Sequence, residues 1–206
     1  MLISTDYITL YTYDFQAQQI NDILKYYCNK NDIIIDANAG MGGNSFYFCK
    51  YFNFVYCIDN NEDALSYLEH NLREFDNKFL IYENCLDILK IINYNVIFFD
   101  PPWGGPKYKY KPTIDLFLNE ININDIIENL YNNNSLKLIA LKAPFNFNIN
   151  FDTKWKIRVH NILKNKKNEI SNFCNFSYFN VLNNISNKYL VEDRKNIIFK
   201  LIIYSK

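Results

Sequence analysis

The sequence predicts an α/β domain built on a mostly parallel sheet with helices on both faces. Three observations carry this. Short apolar runs alternate with segments of helical period, as in sheets whose neighbouring strands are joined by crossover helices. The runs are continuous in Ile, Val and Phe, as strands buried on both faces are. Several of them end in aspartate, and glycine is confined to two loops, "AGMGG" and "WGGP".

Taken in order, residues 14–28, "DFQAQQINDILKYYC", set Ile20, Ile23, Leu24 and Tyr27 at helical spacing, with Asp14 placed to cap the helix. Ile33 to Ile35 form a first strand ending at Asp36, followed by a glycine loop and a helix through Phe46, Cys49 and Phe52. "FVYCIDNNEDALSYLEHNL" repeats the plan, with a strand ending at Asp59 and a helix through Ala64, Leu65, Leu68 and Leu72. "KFLIYENCLDILKII" is a third strand and short helix, and "YNVIFFD" a fourth strand ending at Asp100. "DIIENLYNNNSLKLIALKAPFNFN" supplies another helix and a fifth strand ending near Lys142. Further on, "YFNVLNNIS" and "RKNIIFKLIIYSK" read as an antiparallel pair closing the sheet, "NILKNKKNEIS" as an exposed loop, and Trp155 as a core residue of an amphipathic segment. Without a Pro-, Gly- or Ser-rich linker or a repeat, residues 1–206 are expected to form one domain: an N-terminal helical segment over 1–30 covering the site, and an α/β core over 31–206.

Composition narrows the function. The 22 basic and 22 acidic residues cancel, whereas a domain gripping many phosphates is usually basic, so any nucleic-acid contact is expected to be local. No apolar run is long enough to span a membrane, and the N-terminus lacks the pattern of a signal peptide, so the chain is not expected to be secreted. Five scattered cysteines without a CxxC pair point to free thiols in a reducing compartment and to no metal site. The excess of Asn, Ile, Lys, Tyr and Phe points to an A/T-rich genome. Against that bias, five surviving glycines mark backbone that needs them, and their two loops are taken as the site.

The first loop, "DANAGMGGNS", has the spacing G-x-G-G where a dinucleotide site has GxGxxG, and no Lys-Ser or Lys-Thr follows as in a P-loop. Asp59 ends the next strand, where a carboxylate accepts both ribose hydroxyls of a nucleoside. Because ligands of such sheets bind beyond the carboxyl ends of the strands, Asp36, Asp59, Asp87, Asp100 and Lys142 are expected to converge. The pattern resembles the class I methyltransferases, which use S-adenosyl-L-methionine. That resemblance implies a Rossmann-like fold with a seven-stranded sheet, and no metal. It implies that the backbone from Ala39 through Gly40 to Gly42 passes the methionine part, that Asp36 organises the loop and meets its amino end, and that Asp59 holds the ribose. Asp87 either reaches the adenine amino group or caps the short helix through Ile88 and Leu89.

The second loop, "DPPWGGPKYKYK" from Asp100 to Lys111, resembles the (D/N/S)-PP-(Y/F/W) loop of methyltransferases acting on exocyclic amines. An acceptor at Asp100 and the carbonyl that follows it, at Pro101, can bind the two amine hydrogens. The nitrogen lone pair is then localised and aimed at the methyl group. The prolines keep the loop from yielding, the ring of Trp103 stacks on the base, and catalysis is largely positioning. The longer string "PPWGGPKY" resembles the trimethylguanosine synthase family, which methylates the 2-amino group of 7-methylguanosine RNA caps. So do "IIIDANAGMGGNSFYF" (Asp-Ala-x-x-Gly-x-Gly-Gly-Asn, through Asp36, Ala37, Gly40, Gly42 and Asn44), "IDNNEDALSYLEHN" with Asp59 and Asn60, and "LKAPFNFN" with Lys142 and Asn146. The resemblance covers roughly residues 10–148.

It implies a catalytic set of Asp100, Pro101 and Trp103. The implied cofactor set is Asp36, Ala37, Ala39, Gly40, Gly42, Asn44, Asp59, Asn60, Asp87 and Asp100, and the implied cap-binding set is Trp103, Lys107, Lys109, Lys142, Asn146 and Tyr13. Tyr13 and Phe15 are candidates for the second face of the base, or else core residues. The product would be 2,7-dimethyl- or 2,2,7-trimethylguanosine and S-adenosyl-L-homocysteine. The partner would be 7-methylguanosine-capped RNA met by a monomer, in the nucleus or, for a large DNA virus, in the cytoplasm. This chain departs from the family in two places. Many members have Ser where Asp100 stands, and often an Arg where Phe145 stands, which leaves Lys142, Lys107 or Lys109 to meet the cap phosphates. Two other readings stay open: an N-6 adenine methyltransferase of DNA or RNA, and a non-catalytic cap-binding module.

Overall fold

The structure, a computed structural model, describes residues 1–3, 11–163 and 197–206. Helix α1 (Asp14–Tyr27) is followed by strand β1 (Ile33–Asp36), helix α2 (Gly43–Cys49), β2 (Phe54–Asp59), α3 (Glu62–Leu72), β3 (Lys78–Tyr82), α4 (Cys85–Ile88) and β4 (Val96–Phe99). Then come a small hairpin, β5 (Phe117–Leu118) and β6 (Ile121–Asn122), helix α5 (Ile123–Leu130), and strands β7 (Leu138–Ala143), β8 (Lys156–Leu163) and β9 (Ile197–Ser205).

Seven strands form one sheet in the order β3-β2-β1-β4-β7-β9-β8. The pairs from β3 to β7 are parallel, and β9 runs antiparallel between β7 and β8. The expected Rossmann-like fold, with its mostly parallel sheet and antiparallel C-terminal pair, is thus the observed one. Successive side chains of a strand point to opposite faces. One face therefore carries Ile34, Val96, Phe98 and Ala140, covered by Ile20 and Leu24 of α1, Phe48 of α2 and Leu68 of α3. The other carries Ile35, Ile97, Phe99 and Leu141, covered by Ile88 of α4, Ile126 of α5 and Trp155.

The helices start where side chains offer oxygens to orphan amides. The Asn61 side chain accepts from the amides of Asp63 and Ala64, and the Asn122 side chain accepts from that of Asn124. For α1 the expectation is corrected by one residue. Tyr13 occupies the cap position and makes no side-chain cap bond, while Asp14 lies in the first turn and accepts from the Tyr11 hydroxyl.

The partner of β9 also differs from the expectation. It is Lys156–Leu163, where the sequence predicts part amphipathic segment and part exposed loop. This strand lies at the sheet edge, where Lys156, Arg158, Asn161 and Leu163 are exposed and only Ile162 is buried. The segment "YFNVLNNIS", residues 178–186, and Cys174 lie outside the described residues. Trp155 is buried as expected, and its indole N–H donates to the carbonyl of Ile127.

Strand order places the site. The chain leaves β1 toward β2 and β3 on one side and returns to β4 and β7 on the other, so a topological switch point lies between β1 and β4. Asp36 ends β1 and Asp100 follows β4, with Asp36 paired in register to Phe98.

Candidate active site

Two loops and the N-terminal segment meet at that switch point. In the first loop Gly42 has φ +88, and a Cβ there would lie 2.9 Å from Leu68 Cδ1. A side chain would thus carry both backbone strain and a clash. Gly43 has a different reason. A Cβ on it would lie 2.7 Å from the carbonyl oxygen of Thr12, so the N-terminal segment is packed directly on the start of α2.

Asp59 holds this loop together. Its Oδ2 accepts from the amide of Gly40 at 2.7 Å and its Oδ1 from the amide of Asn61 at 2.9 Å, so the carboxylate is fixed with lone pairs to spare. Asp36 is fully buried. Its Oδ2 accepts from the Ser45 hydroxyl at 2.6 Å, and Oδ1 has no hydrogen-bond partner among the described residues. Burial pushes its carboxyl up to about 7, opposed by the Ser45 hydrogen bond and reinforced by the negative charges of Asp100 and Asp59. The buried side-chain oxygens of Asn38 and Asn44 are likewise unpartnered among the described residues.

A cleft of about 140 Å³ opens beside these residues. Ala37, Asn38, Asp59 and Asn60 line one wall, Glu83, Asn84 and Cys85 another, and Pro102 with the β5–β6 hairpin, through Phe117, Leu118 and Asn119, closes the rim. Sequence reasoning missed the hairpin, Asn84 and Cys85. The hairpin's signal was Asn119-Glu120 between Leu118 and Ile121: both residues have positive φ, +47° and +67°, as a two-residue type I′ turn requires. Asp87 is not among the cleft residues. It lies on the exposed side of α4, ion-paired to Lys90 at 2.8 Å, and Asn84 caps the helix instead.

In the second loop Trp103 is half-buried, packed against the core clusters of both sheet faces and edge-on to Tyr108, with centroids 5.3 Å apart. Gly104 and Gly105 turn the chain into a 3-10 turn, Pro106–Tyr110, that exposes Lys107 and Lys109. Asn146 is buried beneath it and donates to the carbonyls of Tyr108 and Lys111 at 2.9 and 2.8 Å, which fixes the turn's shape. Tyr13 and Phe15 are about half exposed, Tyr13 lying edge-on to Tyr11.

Asp100 is not an isolated carboxylate. Its Oδ2 accepts from Lys142 Nζ at 2.7 Å and from the Thr12 hydroxyl at 3.3 Å. Lys142 is only 7% exposed, so it does not stand at the surface as Lys107 and Lys109 do. The structure thus brings together Asp36, Asp59, Asp100, Lys142, Asn44 and Trp103, adds Thr12, and leaves Asp87 outside.

Unpartnered oxygens beside the cleft suit a ligand with hydrogen-bond donors. Asp36, Asp59, Asn38 and Asn44 all offer oxygen acceptors, and S-adenosylmethionine carries an ammonium, two ribose hydroxyls and a cationic sulfonium. The fold and this loop define a class I S-adenosylmethionine-dependent methyltransferase. A family described as RNA cap guanine-N2 methyltransferase matches residues 31–189, and the chain belongs to that family.

An uncharacterized protein of Acanthamoeba polyphaga mimivirus is 27% identical over 178 residues, covering 73% of this chain and 70% of that one. The trimethylguanosine synthase of Schizosaccharomyces pombe is 32% identical over 100 residues, covering 44% of this chain and 41% of that one. Among solved structures, a precorrin-6y C5,15-methyltransferase from Geobacter metallireducens superposes with a TM-score of 0.57 at 15% identity, over 100% of this chain and 98% of that one; this likeness speaks to the fold alone.

Proposed function

We propose that this methyltransferase acts on the exocyclic 2-amino group of 7-methylguanosine in an RNA 5′ cap, giving the 2,7-dimethyl or 2,2,7-trimethyl form. The observation that carries the reading is Trp103: a half-buried indole, braced edge-on by Tyr108, three residues after the carboxylate that follows β4. The match of the family to residues 31–189 and the partial likeness to a trimethylguanosine synthase support it.

S-adenosylmethionine, when bound, supplies a methyl group on a sulfonium, already reactive toward an amine. Asp59 would accept its ribose hydroxyls, Asp36 its ammonium, and the Gly40–Gly42 backbone would line its methionine part. The protein's own work is on the acceptor. The indole of Trp103 stacks on the base. Asp100 and the carbonyl of Pro101 accept the two amine hydrogens, so the nitrogen lone pair points at the methyl carbon. A cofactor held there would supply its methyl group to that nitrogen and keep the bonding pair on sulfur. One amine proton then leaves through the Asp100 carboxylate to water. Lys107 and Lys109, exposed on the 3-10 turn, would meet the few phosphates of the cap bridge, consistent with a chain of zero net charge.

Incubation with a 7-methylguanosine cap analogue and S-adenosylmethionine, followed by mass measurement of the product, tests this directly. One or two added methyl groups are expected. 7-Methylguanine is cationic, and cation–π attraction to an indole contributes about 0.5–2 kcal/mol beyond stacking. Trp103→Ala should therefore raise KM and erase the preference for the 7-methyl cap. Turnover of unmethylated GpppG as fast as its 7-methyl form by the native enzyme would refute the proposal.

A further inference from the structure

The group around Asp100 contains two residues whose contribution reaches beyond the cofactor and the cap. Thr12, in the segment before α1, has a hydroxyl with its full complement of three hydrogen bonds, one donated and two accepted. It donates to Asp100 Oδ2 at 3.3 Å and accepts from Lys142 Nζ at 2.7 Å and Asn44 Nδ2 at 3.1 Å. Lys142 Nζ donates to Asp100 Oδ2 as well, at 2.7 Å. The four residues come from four separate places: the N-terminal segment, α2, the end of β4 and β7.

Thr12, Asn44 and Lys142 are 3%, 5% and 7% exposed, so this is a fixed interior network. Burying an ion pair costs about as much in desolvation as its attraction returns, so the pair needs a reason other than stability. The free oxygen supplies one. Both contacts fall on Oδ2, and Oδ1 of Asp100 takes no hydrogen bond from any described residue.

We propose that Lys142 and Thr12 are positioning residues that act through Asp100. Together they occupy Oδ2 and fix the rotation of the carboxylate. They thereby leave Oδ1 as its one acceptor for an amine hydrogen, and Lys142 offsets the charge. Lys142 is then no phosphate contact, and the N-terminal segment completes the acceptor site by way of one hydroxyl. This rests on reading the Asp100–Trp103 loop as the amine-holding loop, whichever base carries the amine.

The test is a double-mutant cycle of Lys142→Met and Asp100→Ser, with Thr12→Val and Thr12→Ser beside it. Rates are measured on 7-methyl-GpppA and on an adenine-bearing oligonucleotide, and cofactor affinity by calorimetry. A small misplacement of a reacting group costs on the order of 100-fold. Lys142→Met should lower kcat by about that factor, with KM for the cap and cofactor affinity within about threefold. In the Asp100→Ser background the same change should cost less than about threefold, as expected of residues acting as one unit. Thr12→Val should lower kcat about tenfold and Thr12→Ser should restore it, a comparison that stands even if Lys142→Met does not fold.

A rise in KM with kcat kept, or a Lys142→Met loss undiminished by Asp100→Ser, overturns the inference. So does a Thr12→Val variant with native kcat. Turnover of the oligonucleotide and not the cap overturns the cap reading alone, because the cycle then runs on adenine. Turnover of neither overturns both.

Discussion

Asp36→Asn isolates the electrostatic cost built into the cofactor loop. The carboxyl of Asp36 is fully buried, and its Oδ1 is unpartnered among the described residues. Burial, with the charges of Asp100 and Asp59, raises it from an ordinary value of 3.8 to about 7. A raised carboxyl means that the folded chain binds this proton more tightly than the unfolded chain. Its contribution to stability is therefore largest at low pH, falls as pH rises from about 4 to about 7, and levels off above.

Each pH unit in that window is worth about 1.4 kcal/mol. Allowing for the half-titrated carboxyl at its upper end, the native protein should lose about 2 kcal/mol relative to Asp36→Asn between pH 5 and pH 7. For a domain of this size, 1 kcal/mol moves Tm by about 2–4 °C. The Tm of the variant minus that of the native protein, measured without cofactor across pH 5–8, should thus climb by about 4–8 °C. The amide brings a constant penalty of its own, about 1–3 kcal/mol for a buried N–H without a partner. That penalty shifts the whole curve and leaves its slope unchanged. Adding S-adenosylmethionine at pH 8 should raise the Tm of the native protein and leave that of the variant nearly still. A difference in Tm that does not change with pH would refute the reasoning.

Two further substitutions probe the packing that assembles the site. Gly43→Ala places a Cβ 2.7 Å from the Thr12 carbonyl and 3.1 Å from the Tyr11 ring, so it should displace the N-terminal segment; kcat should fall at least tenfold, and limited proteolysis should cut sooner before residue 14. Asn146→Ala removes two hydrogen bonds under the 3-10 turn, each worth about 1 kcal/mol. It should raise KM for the capped substrate several-fold while cofactor affinity, measured by calorimetry, stays native.

The strands and their carboxyl-end aspartates were legible because each depends on short stretches of chain. Ile33–Asp36, Phe54–Asp59 and Val96–Phe99 are buried runs with no need to alternate, and they stand out in any window. The glycines were legible for a similar reason: four of the five have positive φ, and the fifth, Gly43, lies under another segment's backbone. What escaped was set by partners distant in sequence. Strand β8 has an exposed edge and alternates Lys156, Arg158 and His160 with Ile157 and Val159, so nothing in its own pattern names β9 as its neighbour. Thr12 and Lys142 are 130 residues apart, and neither belongs to a motif that mentions the other. Asp87 reads from spacing alone as a ligand contact or a cap of α4. Its spacing after β3 suited a ligand, but the helical turn of α4 carries it round to Lys90 and leaves Asn84 and Cys85 at the cleft.

The charges so placed divide the site in two. On the cofactor side Asp36 and Asp59 have no basic side chain hydrogen-bonded to them among the described residues; they are held by a serine hydroxyl and backbone amides. On the acceptor side Asp100 is matched by Lys142, so that half carries no net charge from the pair. The division suits the reaction. A cofactor with an ammonium and two ribose hydroxyls would find acceptors in the first half. On the cap reading proposed above, a cationic base would approach Trp103 past Lys142 Nζ, 5.6 Å from the ring centre, whose charge Asp100 already answers. Serine at position 100 would leave Lys142 unanswered beside a cation. An aspartate here therefore carries a partner in the lysine of β7 that a serine would not match in charge.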